Sequence, residues 1–511
     1  VSRRQRLTLV ATILGSTVVF LDSTVVNVAL PAIADGLDAG LAGQQWVVEA
    51  YMLTLVSLLL VGGSLGDQLG RRRVFVTGLV AFGATSALCA LSPTVEFLIA
   101  ARALQGIAGA LLVPGSLAIV AATFEGAERG RAVGTWTAWT GIATVFGPAG
   151  GGALIGLLSW RAIFWVNLPL IAGTVYLATT AVEESRDPDA YRGVDWLGIA
   201  LSALGLGGPV FALIEQPTRG WGDPAVWLPL AAGVACFALF ILREARARHP
   251  MLDLGLFRIR NFAVANLTTL AAYAGLIGGL FFVGLFLQQV AGYSPLEAGL
   301  ATTPISVLLF VLSPRFGKLA SGTGPRLPMS AGPIVGGLGL LLMQRVGADP
   351  SYVTDVLPAV LVFGLGLSAT VAPLTATVLD SVEERHVGIA SGVNNGVSRV
   401  AGLLAIAVLG AVISARFAAL APGVSGGPLT ADAASASTSA FHLGCLIAAA
   451  LMIVGGIASA FGIENPSAQR EAVPTRGAAA AGECGHGADA DCRDGQLAEP
   501  AGRKASAPEP A

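Results

Sequence analysis

The sequence predicts an all-α polytopic membrane protein with fourteen transmembrane helices, on three observations. Of its 511 residues 54% are hydrophobic and only 12% charged, at a mean hydropathy of +0.73, whereas a soluble domain carries about 25% charged residues. Apolar windows of the roughly 20 residues that a bilayer core requires recur between short polar interruptions until about residue 462. Lys and Arg are sorted between alternate loops, as the positive-inside bias demands.

The windows fall at 7–31, 46–65, 74–91, 95–118, 132–158, 163–182, 196–214, 226–242, 262–291, 298–319, 328–345, 356–379, 387–413 and 441–461. With a cytoplasmic amino terminus, the arginine clusters at 3–6, 71–73, 129–131 and 243–260, and the basic residues at 315–326, all face inward. The opposite loops hold only Arg161, Arg219, Arg345 and Arg416. An even number of spans returns the carboxyl terminus to the cytoplasm. The first segment is long, contains Asp22 and lacks a small-residue cleavage site, so it reads as a span rather than a leader.

Five cysteines form no disulfide framework. Cys89, Cys236 and Cys445 lie in spans, and Cys484 and Cys492 flank His486 in a tail of Ala, Gly, Pro, Glu and Asp. That tail, 463–511, reads as disordered, and no metal site or cofactor is expected. No phosphate-binding G-x-x-x-x-G-K-[ST] loop is present. His249, His386, His442 and His486 are scattered with no zinc-binding H-E-x-x-H among them, so neither an ATP-driven pump nor an intramembrane enzyme is expected.

Besides the charges near span ends and loops, Asp22, Glu49, Arg102 and Arg399 fall inside predicted spans. Glu215 stands at the outer end of its helix. Charges at membrane depth cost about 3 kcal/mol or more and face a bundle interior or aqueous cavity. At about 1.5 Å per residue, Asp22 lies roughly 12 Å and Arg102 roughly 10 Å from the outer ends of the first and fourth spans, so their heights match. They form either a fixed ion pair that orients two helices, or a site where a carboxylate gains and loses a proton under the control of an arginine. Glu49 and Glu215 are further proton carriers or solvated rim carboxylates.

Several motifs follow. "GSLGDQLGRRRVF", 63–75, joins the second and third spans, with Gly66 and Gly70 permitting a tight turn, Asp67 able to cap or face a helix start, and Arg71, Arg72 and Arg73 able to pair with Asp67 or lipid phosphate. "EFLIARALQGIAGALLVPGS", 96–116, sets Arg102 about one turn from Gln105. "GIATVFGPAGGGALIG", 141–156, gathers Gly147, Gly150, Gly151 and Gly152 around Pro148, which predicts a kinked, closely packed, deformable helix. Tyr51, Trp136, Trp139, Phe146, Phe281, Phe282 and Phe286 are candidates for an aromatic cavity, with Gln288, Gln289, Asn394 and Asn395 as neutral hydrogen-bonding groups.

With "LDSTVVNVALPAI", "WRAIFWVNLP" (160–169) and "SGVNNGVSRVAGLLAIAVLG" (391–410), these motifs make the chain resemble the fourteen-span drug:proton antiporters of the major facilitator superfamily everywhere except the tail. Gln68 stands where that family usually has a basic residue. The resemblance implies a major facilitator fold: six-helix bundles at 1–182 and 261–462 and two inserted helices within 183–260. It assigns Asp67, Gly70, Arg71 and Arg72 to a conformational latch, Arg102 to proton coupling, and Gly147, Pro148 and Gly151 to the antiporter motif. Arg399 matches the thirteenth-span pattern without an assigned role. "SPRFGKLASGTGPRLP", 313–328, echoes the latch in the second half without an acid, so an asymmetric latch is expected. The implied function is export of amphipathic drugs or antibiotics from a multi-pass, monomeric protein of the cytoplasmic membrane, in exchange for protons. Its partners would be drug, protons and lipid, with no nucleic acid; cationic substrates are suggested by an acidic outer cavity. A proton-driven importer, or a receptor or scaffold, are the alternatives.

Overall fold

A computed structural model describes residues 2–186, 195–247, 252, 254–383, 387–422 and 431–465, without the side chains of a few residues inside helices, 141–146 among them. Cys484, His486 and Cys492, and the whole tail, lie outside the described residues, as do His249 and His386. The chain forms α1 (Arg3–Leu37), α2 (Leu41–Leu69), α3 (Arg71–Ala90), α4 (Val95–Thr123), α5 (Gly126–Leu157), the short α6 (Ala162–Trp165), α7 (Asn167–Ala181), α8 (Trp196–Arg219), α9 (Pro224–Glu244), α10 (Arg260–Gln289), α11 (Pro295–Thr323), α12 (Arg326–Leu342), α13 (Leu357–Asp380), α14 (Val387–Leu420) and α15 (Ala431–Gly462). Starts are set by local chemistry: Ser2 with Gln5 and Ser294 with Glu297 make reciprocal capping boxes on α1 and α11.

Among the described residues, twelve helices are long and apolar enough to cross a membrane, or thirteen if the bent α2 counts as one span. The expected fourteen are therefore not all met by length and composition. The helix outside this count is α5, whose 32 residues are ample in length. Large apolar side chains that face outward, such as Leu157, Phe310 and Phe461, fit a hydrocarbon surrounding.

Helix α4 packs on α2 and α3, and α1 on α4, α5 and α7; α10 packs on α14 and α15, and α12 on α13 and α15. Between these sets lies the α8–α9 hairpin, with α8 against α2 and α14. Asp195 caps α8 through the Gly198 N–H at 2.8 Å and receives Arg243 of α9 at 2.7 Å. The hydrogen bond from Arg243 holds the Asp195 carboxyl below the ordinary carboxylate range.

The two sets repeat one device that the sequence motifs only hint at. At the α2–α3 turn Gly70 has φ +114°, and at the α11–α12 turn Gly324 has φ +88°. The residue that seals each turn comes from beyond the last helix of its own set. The Glu184 carboxylate accepts from the backbone N–H groups of Arg72 at 3.0 Å and Arg73 at 3.2 Å; Asn465 Oδ1 accepts from the Arg326 N–H at 3.1 Å. An arginine at the start of each first helix likewise donates to the end of the last: Arg4 Nε to the Ala181 carbonyl at 3.0 Å and Arg260 Nε to the Gly462 carbonyl at 2.9 Å. Arg4 also pairs with Glu183, and Arg260 with Glu464. Cations suit helix carboxyl ends and anions suit amino ends, so the charges sit where the backbone favours them. A Cβ on Gly70 would stand 2.6 Å from Glu184 Oε1, and an L-residue at that φ is itself disfavoured by about 1–2 kcal/mol. Gly70→Ala is expected to lower stability by about 1–3 kcal/mol, read as an earlier unfolding midpoint in detergent; an unchanged midpoint would reject the role given to this turn.

Candidate functional site

The deepest polar cluster is built around Asp22, midway along α1. Arg102, from α4, donates through Nη1 to Asp22 Oδ2 at 2.5 Å and to Gln105 Oε1 at 2.7 Å, and through Nε to the Val47 carbonyl of α2 at 3.1 Å. Gln105 returns its amide to Asp22 Oδ1 at 3.1 Å, and Asn167 Nδ2 reaches the same oxygen at 3.2 Å. Both carboxylate oxygens accept hydrogen bonds, which suits the acceptor-only ionised group. Asp22 is 2% exposed and Arg102 1%. The guanidinium carbon also lies 4.2 Å from the centroid of the Tyr51 ring, a cation–π contact that shields it further.

The matched depths of Asp22 and Arg102 were legible from the helix rise. Asn167 was not singled out, although the 160–169 motif contains it. It sits where the helical path breaks between α6 and α7, and Ser86 Oγ accepts from its amide at 3.1 Å. Asparagine at an interrupted membrane helix, where backbone groups need new partners, was the available signal.

Other candidates are dispersed. Glu49 is fully buried and, among the described residues, neither of its oxygens has a hydrogen-bond partner, so the structure does not place it at a solvated rim. It stands about 200° around α2 from Tyr51 at 3.6 residues per turn. Its neighbours one turn away confirm the direction: Gln45 Nε2 donates to the Ile406 carbonyl of α14 at 2.9 Å, and Leu53 touches Gly207 of α8. Glu49 therefore faces the hairpin joint, away from Asp22. Glu215 accepts from Trp46 Nε1 at 3.1 Å and pairs with Arg219 at 3.0 Å; it ties α8 to α2.

The structure does not assemble the expected aromatic cavity. Tyr51 is part of the ion-pair cluster, its hydroxyl 3.4 Å from the Val19 carbonyl. Trp136 packs beside Val120 and Phe124. Phe282 and Phe286 line a separate cavity of about 550 Å³ with Gln289 and Phe417, where Phe286 stacks on Phe441 at 4.1 Å. Gln288 donates to its own helix at Gly284. Asn394 donates to Thr269 Oγ1 at 2.7 Å and Asn266 Oδ1 at 3.2 Å, joining α14 to α10. The side chain of Phe146 lies outside the described residues. The reason is rotational: sequence gives a span's apolar residues but not which way each faces.

At the α2–α3 turn Asp67 pairs with Arg71 within one helical turn, at 2.8 Å, and does not cap α3; Glu184 does. The glycines near Pro148 divide their work. Gly147 and Gly151 abut Thr24 and Val25 of α1, Gly152 abuts Pro295 and Leu296 of α11, and Gly150 meets nothing within 4 Å. Gly299 of α11 returns the contact to Pro148. These contacts, Gln45 with Ile406, and Gln289 with Gln44 at 3.1 Å join the two helix sets at the end where α2 and α11 begin and α5, α10 and α14 finish.

Membrane-length helices in two sets that meet at one end, with an ion pair buried between α1 and α4, define a multi-span α-helical membrane protein. The chain belongs to the Major Facilitator Superfamily, whose sequence profile matches residues 12–406. It is 37% identical over 420 residues to the Multidrug resistance protein Stp of Mycobacterium tuberculosis, covering 82% of this chain and 78% of that one. It is 35% identical over 409 residues to the Tetracenomycin C resistance and export protein of Streptomyces glaucescens, covering 80% and 76%. The fold is similar to the inward-facing, unoccupied structure of a bacterial homolog of the human lysosomal transporter Spinster, at TM-score 0.63 and 16% identity over 91% of this chain and 100% of that one.

Proposed function

We propose that this protein exports amphipathic drugs or antibiotics across the cytoplasmic membrane in exchange for protons, by alternating access. The observation that carries the proposal is the Asp22–Arg102 pair, sealed from water in the body of α1 and α4. Relatives named for multidrug resistance and for tetracenomycin C export support the direction and the cargo. In this reading α2 and α5 complete fourteen spans, 1–182 and 261–462 are the two bundles, 183–260 holds the inserted pair, and both termini are cytoplasmic.

The cycle uses chemistry the cluster already has. A proton delivered from outside neutralises Asp22 and frees Arg102 and Gln105 to rearrange; loss of that proton toward the cytoplasm restores the pair and the substrate-accepting state. A charge crossing 100 mV releases about 2.3 kcal/mol, and one pH unit supplies about 1.4 kcal/mol, enough for export against a steep gradient. Asp22 is the first-choice carrier, Glu49 the second and Glu215 the third. Gly66, Asp67, Gly70, Arg71 and Arg72 form the latch at the end opposite the one closed here, and Gly147, Pro148, Gly151 and Gly152 form the antiporter segment.

The test is proton movement in vesicles on addition of tetracenomycin C. Wild type is expected to show substrate-dependent alkalinisation or acidification that Asp22→Asn lacks, since an amide cannot carry the proton. Exchange by Asp22→Asn at the wild-type rate would show that another group is the carrier.

A further inference from the structure

Of Asp22, Glu49, Arg102 and Arg399, the first three are accounted for. Asp22 and Arg102 neutralise one another, and Glu49 is buried at the joint of α2, α8 and α14, facing away from them. The fourth is Arg399 of α14. Its guanidinium carbon stands over the Phe20 ring of α1, 5.9 Å from the centroid, and among the described residues it has no ion-pair partner.

Phe20 precedes Asp22 by two residues, so Arg399 lies at the level of the buried pair but outside it, between α1 and α14. Both Phe20 and Arg399 are partly exposed, and Asn395, one turn before Arg399, is exposed. Partial exposure sets the position apart from the fully packed core around Asp22. A guanidinium within a membrane span that no protein charge offsets has a functional reading by default. Its fork presents parallel N–H donors suited to a carboxylate, while the Phe20 ring holds it by cation–π attraction and offers an apolar face.

We infer that Arg399 and Phe20 form a subsite for an amphipathic organic anion, in which the guanidinium pairs with a carboxylate or ionised phenol and Phe20 packs against the aromatic body. This deepens the export reading, on which it rests for the ligand's being cargo, and reverses the charge sign that counting acids suggests. Asp22 is spent on Arg102, Glu215 on Arg219, and Glu49 faces elsewhere, so no free carboxylate waits for a cation beside Phe20.

The experiment is equilibrium binding to the full chain in lipid nanodiscs, using pyrenebutyrate and pyrenebutylammonium, two probes with one apolar body and opposite charges. Wild type is expected to prefer the anion by about tenfold or more, the effect of about 1.4 kcal/mol. Arg399→Gln should erase the preference and Arg399→Lys retain part of it. Because the readout is a ratio within each variant, partial loss of folded protein does not mimic the effect. Preference for the cation, binding of neither probe by wild type, or an anion preference that survives in Arg399→Gln would overturn the subsite. Binding through Arg399 with no proton-driven movement of the anion in proteoliposomes would instead reject the export reading and leave the subsite standing.

Discussion

Arg102→Ala is expected to cost about 3–5 kcal/mol of stability, because it leaves the Asp22 charge buried with its main partner gone. The side chain it removes is 1% exposed, holds Asp22 at 2.5 Å and also satisfies the Gln105 oxygen and the Val47 carbonyl. Truncation therefore strands several acceptors at once and opens a void beneath Tyr51. Unfolding in detergent should show a large fall in midpoint for Arg102→Ala. The double variant Asp22→Asn with Arg102→Ala should recover part of it, since no charge then remains unpaired. Equal losses in the single and double variants would mean that packing of the arginine stem, rather than charge balance, governs the site.

Gly152→Leu is expected to abolish closure of the end at which α5 meets α11, with at least a tenfold loss of transport. A Cβ at residue 152 would lie 2.5 Å from the Pro295 carbonyl oxygen and 2.7 Å from the Leu296 Cα, and one at residue 299 would lie 2.5 Å from the Pro148 oxygen. These are backbone atoms, which cannot rotate aside as a side chain would, so even a methyl group must push the helices apart. Gly150→Ala is the matched control, since a Cβ there meets nothing within 4 Å and the change should be silent. The check is thiol labelling of Gln45→Cys, a position 2% exposed at the same end, with native cysteines replaced. Labelling should rise in Gly152→Leu and stay low in Gly150→Ala. Protection in both would remove the α5–α11 contact from the closing mechanism.

The partnership of Asp22 with Arg102 could be read in advance because it depends on two quantities a sequence carries: residue type and distance along a helix. The Glu184 cap on α3 could not, since 112 residues separate the Arg72 N–H from its acceptor and nothing local marks an acid beyond α7 as belonging to the α2–α3 turn. Its counterpart at Asn465 was hidden for the same reason, and because the second half uses an amide where the first uses an acid. The asymmetry expected from the missing acid concerns the place of Asp67, which pairs with Arg71, whereas Asn465 matches Glu184. Trp136 and Phe282 looked equivalent as span aromatics, yet one packs beside Phe124 and the other opens on the cavity beside Gln289.

The sequence by itself determined the environment, the helical path and the identity of the charged pair, because hydrocarbon tolerates only long apolar helices and penalises every unpaired charge. Only the tertiary structure decided which face of each helix meets which neighbour: Glu49 toward α8 and α14, Tyr51 beneath Arg102, Arg399 over Phe20. Those choices rest on helix rotation and on backbone approach at glycines, and they emerge only when the whole set of helices packs together.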